Sequence, residues 1–406
     1  MLPLAIHREV PRRAIWLLGA VQCIYWGALY YAFPVTLHPI AESLKTSATV
    51  VAGAFSLGLL VMAWAAPNVG RALDRGRGSW LMRGGAALAI VALSASAWIA
   101  SVTALYIVWF ALGMSMALML YEPAFGLVVR AVADPVRRVR ALATVTVFGG
   151  LASTLCIPAI AALVDRAGWQ RTQIALAGAI LVGAIVMEWL VLPALRETGS
   201  SAGRRPSGRP PDAVPRVPLL LAAVFAASTL TAMALGTMLI AALIERGHGA
   251  GAAANALALL GIMQLPGRLW VLSGRYAGSV RTLLIGPLVL QSLGLAVIAA
   301  SASLPGVGIG VAIFGAGAGW STIARPMVVQ VLYGTADAGA LNGSIARLQG
   351  FARAAGPLGA AAIYRAFGYE VLFGGLALAL SLLACAVLHA MRSPATSSLS
   401  APEVRG

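Results

Sequence analysis

The chain has 406 residues, 60% of them hydrophobic and only 10% charged, with a mean hydropathy of +0.88. A water-soluble chain of this length needs more charge to cover its surface, whereas lipid-facing surface is covered by Leu, Ala and Val, so the composition is that of a multi-pass membrane protein. The net charge of +16 comes from basic residues spread over short loops without interleaved aromatics, which speaks against a nucleic-acid partner.

Apolar runs of about 20 residues, the length that crosses a bilayer, predict helices at 14–36, 47–68, 80–100, 104–130, 140–163 and 171–194. Arg8, Arg12 and Arg13 before the first run mimic a secretory leader, but the run is long and lacks a small-residue cleavage site, so it reads as a retained helix. Residues 196–216 are rich in Pro, Gly, Ser and Arg and read as a linker. Six more runs follow at 217–243, 251–272, 282–302, 306–332, 338–366 and 371–391. The expected domains are therefore a helical bundle over 1–195, a cytoplasmic linker over 196–216 and a second bundle with a polar tail over 217–406.

With both termini inside, cytoplasmic segments hold 21 of the 29 Lys and Arg residues, while outer loops hold only Lys45, Arg166, Arg171, Arg246 and Arg365. That asymmetry orients the chain with cytoplasmic termini. The halves also repeat one another: Gly70-Arg71 returns as Gly267-Arg268, Glu122-Pro123 as Arg325-Pro326, Asp134 as Asp337, Pro158 as Pro357 and Gly168 as Gly368, at offsets between 197 and 203.

Between the second and third runs, Gly70 to Gly78 reads as a short charged loop carrying Asp74 with Arg71, Arg75 and Arg77. It resembles the loop between helices 2 and 3 of the major facilitator superfamily, written G-x-x-x-D-R-x-G-R, with Gly70, Asp74 and Arg75 matching by position; Gly76 and Gly78 straddle the later glycine. The resemblance implies an all-α membrane protein of 12 transmembrane helices in two pseudo-symmetric six-helix bundles, with a substrate site at the bilayer midplane between halves that rock. It also implies that Asp74 steadies the start of helix 11 and that Gly70, Asp74 and Arg75 take part in gating. From Tyr30-Tyr31-Ala32-Phe33-Pro34-Val35 to Asp74-Arg75 the chain is most similar to the branch of monocarboxylate porters and oxalate/formate exchangers. Two departures weaken a drug-efflux reading: Trp109 stands where many proton-coupled members carry Arg in helix 4, and Gly149-Gly150 with Pro158 is only a loose version of the antiporter motif in helix 5.

On helix 11, Asn342, Gln349 and Arg353 fall within about 20° of one another at 100° per residue. An intramembrane Arg costs roughly 2.5–3.5 kcal/mol on insertion scales and so faces protein or a water-filled cavity. Arg353 either grips a substrate carboxylate through paired hydrogen bonds or forms a structural pair with a buried acid or backbone carbonyls. On helix 1, Gln22, Trp26 and Tyr30 share a face that could line the cavity, although aromatic belts near the outer surface offer Tyr30 a plainer role. Gln264 and Asn255 on helix 8 have weaker claims. Helix 1 carries no acid, which favours neutral or anionic cargo. Glu122 and Arg325 precede prolines at matching positions and invite a gate, with Arg347 as the other candidate partner for Glu122; alternatively, both charges satisfy backbone groups freed by Pro123 and Pro326.

The glycines from Gly306 to Gly319 have small-xxx-small spacing suited to close helix packing rather than to a dinucleotide loop. Glu188 lies towards the inner end of helix 6, where it reads as solvated or paired. His7, His38, His248 and His389 form no cluster and Cys23, Cys156 and Cys385 lie inside apolar runs, so no metal or other cofactor is expected. No HExxH, GxSxG, P-loop or paired intramembrane carboxylates suggest an enzyme or an ATP-driven pump. The expected function is secondary active transport of a small organic anion, with a monocarboxylate the first candidate, across a plasma membrane (a bacterial inner membrane), by proton symport or anion exchange. The partners are then the anionic substrate, a proton or counter-anion, and membrane lipid. Drug or metabolite efflux by proton antiport and a receptor without flux are the alternatives.

Overall fold

The computed structural model describes residues 10–199, 219–273, 279–334 and 338–391. Among these no strand occurs, and nine helical segments are long and apolar enough to cross a membrane. Two of the nine are hairpins. Pro135–Val186 and Ala338–Ala390 each turn at a glycine, Gly168 (φ 80°) and Gly368 (φ 78°), in a left-handed conformation that other residues adopt at a steric cost. One further crossing is made of Ala250–Ile262 and Gln264–Leu272. The described helices are α1 (Arg12–Ser43), α2 (Ala48–Asp74), α3 (Gly78–Ser96), α4 (Val102–Ala131), α5 (135–167), α6 (169–199), α7 (Leu219–Glu245), α8 (250–272), α9 (Val280–Ala300), α10 (Leu304–Tyr333), α11 (338–367) and α12 (369–390). The architecture is all-α with twelve membrane helices.

Local chemistry explains where several helices begin. The side chains of Ser47, Ser101, Asp134, Ser279 and Ser303 each accept a hydrogen bond from the backbone N–H three residues on, at the starts of α2, α4, α5, α9 and α10. Pro follows directly or closely in α5 and α10, at first-turn positions where its missing N–H is not needed.

Three expectations need correction. The charged stretch from Gly70 is not a loop as far as Asp74: α2 runs through Asp74, and only Arg75 to Arg77 link it to α3. Gly76 takes φ 81°, and the Gly76 and Arg77 amides bond back to the Leu73 and Ala72 carbonyls, closing α2 with a left-handed cap. The outer loop expected after residue 163 collapses to the single hinge at Gly168, because α5 continues through Asp165 and Arg166. Helix 1 extends to Ser43 instead of ending near residue 36, and Gly27–Tyr31 within it forms a π turn. Most of the linker expected at 196–216, and Asp337, lie outside the described residues.

Two compact units emerge, one spanning Met1–Val217 with Thr335–Ala354, the other Pro218–Gly334 with Ala355–Gly406. In the first, α1 packs on the α5–α6 hairpin and α2 on α4, where Gly58 and Gly113 bring the two backbones together. In the second, glycines let α10 approach its neighbours: Gly310 faces Gly294 on α9, and Gly319 faces the Gln264 carbonyl on α8. A buried polar knot, in which Ser228 donates to Ser321 Oγ (3.0 Å) and Gln291 Nε2 donates to Ser228 Oγ (2.8 Å), ties α7, α9 and α10.

Candidate functional site

Within the first unit, α2 meets the first half of α11 along a stripe of small residues. On α11 the stripe reads Gly339, Gly343, Ala346, Gly350 and Arg353, spaced four, three, four and three apart, the period that keeps one helix face turned to its neighbour. A Cβ on Gly70 would overlap the Gly339 carbonyl, one on Gly343 the Ala66 carbonyl, and one on Gly350 the Ala63 side chain. Only glycine permits this approach.

The approach delivers Asp74 to the start of α11. Asp74 Oδ1 accepts from the Gly339 N–H at 2.9 Å and Oδ2 from the Ala340 N–H at 2.7 Å. Both amides lie in the first turn, where a helix leaves its N–H groups unpaired and presents the positive end of its dipole. At the other end of the same contact Arg130, from the last turn of α4, donates from Nη1 to the Leu73 and Asp74 carbonyls at 3.2 Å each. One helix terminus is thus held by an anion and the other by a cation. Arg75 is exposed beside this cap. Two parts escaped sequence reasoning: Arg130, which looks like any inner-loop arginine, and the glycine stripe of α11, for which the alternating four-and-three spacing was the available signal.

Further along the same seam lies a crevice of about 20 Å³ lined by Met62, Ala63, Ala66, Gly350, Glu122 and Arg353, among others. A space of that size takes one water molecule, not a substrate. Its lining includes opposite charges from α4 and α11. Glu122 stands in the first turn after a break in α4 at Leu120 (φ −79°, ψ −147°).

The break also gives Gln22 its job. Pro123 has no N–H for the Met119 carbonyl four residues back, and Gln22 Nε2, fully buried on α1, donates to that carbonyl at 2.9 Å. Gln22 thus satisfies the carbonyl that Pro123 leaves without its helical partner. In the second unit α10 passes Pro326 without interruption, and Arg325 beside it is buried.

Trp26 sits at the centre of an aromatic cluster, with ring centroids 5.4 Å from Tyr30 and 4.8 Å from Tyr121. Tyr30 reaches Phe55 (5.3 Å), which stacks on Phe33 (4.1 Å), and both meet Trp109 edge-on. The position where the family pattern has a charge is thus filled by a packed ring. The π turn at Gly27–Tyr31 sits between Trp26 and the end of this cluster. Three buried polar atoms of the expected binding residues have no hydrogen-bond partner among the described residues: Gln22 Oε1, Trp26 Nε1 and Asn342 Oδ1. Asn342 Nδ2 donates to the Ala338 carbonyl of its own helix at 2.8 Å. Gln349 is half-buried near Arg353, while Arg347 is exposed and does not line the crevice. Asn255 is exposed, and Gln264 Oε1 accepts from the buried Arg268 at 2.9 Å.

Twelve membrane helices packed through glycine-sealed seams define a multi-pass membrane protein. The chain belongs to the Major Facilitator Superfamily, whose pattern matches residues 15–357. A search of the curated proteins gave no match. Among solved structures, the chain is similar to the proton:xylose symporter XylE bound to 6-bromo-6-deoxy-D-glucose, with a TM-score of 0.72 at 12% identity, covering 93% of this chain and 95% of that one. It is also similar to the human organic anion transporter MFSD10 (TM-score 0.68, 17% identity, 92% and 97% covered). A third similar structure is FucP in its outward conformation (TM-score 0.61, 14% identity, 91% and 97% covered).

Proposed function

We propose that the protein is a proton-coupled carrier of a small organic anion, in which Arg353 holds the substrate carboxylate and Glu122 holds the coupled proton. The observation that carries this reading is that Glu122 and Arg353 line one crevice. An arginine at that depth requires a negative neighbour, and either the Glu122 carboxylate or a substrate carboxylate can serve. Protonation of Glu122 removes the negative charge that competes with the anion for Arg353, so the two solutes bind together. Opening α2 from α11, which lets the crevice grow, is the motion by which alternating access would admit cargo. The unpartnered Gln22 Oε1, Trp26 Nε1 and Asn342 Oδ1 support a polar ligand, because buried polar atoms are ordinarily bonded. On this reading Asp74, with Gly70 beside it, is the latch of the inner gate, the termini are cytoplasmic and the carrier works in a plasma membrane.

Uptake of labelled monocarboxylates into proteoliposomes, with and without an inward proton gradient, tests the proposal. The wild type should accumulate anion only with the gradient, and Glu122→Gln should exchange anion but not accumulate it. Gradient-driven accumulation by Glu122→Gln at the wild-type level would overturn the proton assignment.

A further inference from the structure

A second polar feature of the first unit joins α3 and α6. Arg83 on α3 donates from Nε to Glu188 Oε2 at 2.7 Å and from Nη2 to Oε1 at 2.5 Å, a two-pronged pair joining α3 to α6. The pair is not sealed in: its side chains are 34% and 40% exposed. It forms one wall of a groove of about 400 Å³ between α3 and α6, floored by Tyr25 of α1 and otherwise walled by apolar side chains such as Met82, Ala86, Ile90, Ile185 and Leu192. Trp80 and Trp189 flank the pair at 71% and 75% exposure, the arrangement of tryptophans at headgroup level. Glu188 lies in a second π turn, Met187–Val191, which adds a residue to the helical turn and re-aims the side chains that follow.

We infer that this groove is a phospholipid site, taking an acyl chain along its apolar walls and a phosphatidylethanolamine headgroup at the Arg83–Glu188 pair. A charged pair partly open at headgroup level keeps donors and acceptors that polar groups of the lipid can complete. Guanidinium has five N–H donors, and the two bonds to Glu188 leave the Nη1 side for a phosphodiester oxygen. The exposed carboxylate accepts from the lipid ammonium. The pair is neutral overall and so matches a zwitterionic headgroup better than an anionic one. It also distinguishes among zwitterions, since an ethanolamine ammonium donates three hydrogen bonds and a choline donates none.

The test is native mass spectrometry of the full-length protein released from nanodiscs containing equal phosphatidylethanolamine, phosphatidylcholine and phosphatidylglycerol. Phosphatidylethanolamine should be retained about fivefold over phosphatidylcholine, the ratio that one net hydrogen bond supplies, and Glu188→Gln should bring that ratio near one. Ala87→Trp, at an exposed groove position, should expel the lipid while leaving the ion pair and the melting temperature unchanged. Equal retention of the two zwitterionic lipids by the wild type, preferential retention of phosphatidylglycerol, or undiminished lipid in Ala87→Trp would each overturn the assignment. Transport need not be measured, so the outcome is independent of the anion reading.

Discussion

The α2–α11 seam and the α3–α6 groove both place charge in a membrane protein, and they stabilise it in different ways. At the seam, the Asp74 carboxylate is met by two backbone amides at a helix start. At the groove, Glu188 is met by a guanidinium two bonds wide. The first arrangement exists only while α2 and α11 touch, because the amides belong to the other helix and glycine alone lets the backbones close. The second joins two helices of one bundle that have no reason to part. Charge held by a neighbour's backbone is suited to a latch; charge held by a side chain at the bundle surface is suited to a fixed docking point.

Filling the seam should have the largest effect. Gly70→Val places a branched side chain against the Gly339 backbone, where overpacking costs about 1–3 kcal/mol or more. Transport should fall to background while the protein still inserts, and spin-label distances between α2 and the start of α11 should lengthen. The same substitution at Gly84, where nothing lies within contact range of an added Cβ, should leave transport intact.

Next in size is Asp74→Asn. An amide keeps one acceptor but loses the charge that the two N–H groups face, a loss of about 1.5–3 kcal/mol for charge-assisted bonds. Transport should drop about tenfold or more, and hydrogen exchange at Gly339 and Ala340 should quicken. Wild-type transport by this variant would remove Asp74 from the latch.

Arg353→Lys should weaken anion binding about tenfold, because an ammonium cannot reproduce the planar fork, and Arg353→Gln should lose more. Equilibrium binding of a carboxylate in detergent measures both. Normal binding by the Lys variant would make Arg353 a structural cation only.

The smallest effect is expected at the groove. A double-mutant cycle of Arg83→Gln and Glu188→Gln, read by thermal unfolding, should show coupling of no more than about 1 kcal/mol, since the pair is partly open to its surroundings. Strong coupling there would mean that the pair holds the bundle together, and the contrast with the seam would narrow.

The sequence by itself determined the number of crossings and the places where backbones had to come close. Long apolar runs are self-sufficient as helices in lipid, where every N–H and C=O must find a partner within the segment, so hydropathy alone reports them. The glycines from Gly306 to Gly319 carry the spacing of close helix packing, and Gly168 and Gly368 recur at matching places in the two halves, where the chain turns. Helix ends were less legible, because polar residues such as Asp165, Arg166 and Arg71 to Asp74 continue a helix once their side chains reach water or a neighbour. Only the tertiary structure decided the pairings: Gln22 with the carbonyl that Pro123 leaves unpaired, Arg83 with Glu188 across 105 residues, and Asp74 with amides 265 and 266 residues away. A lone charge in an apolar run announces that it needs a partner. Which partner it finds is settled by which helix faces touch, and that depends on the packing of the whole bundle.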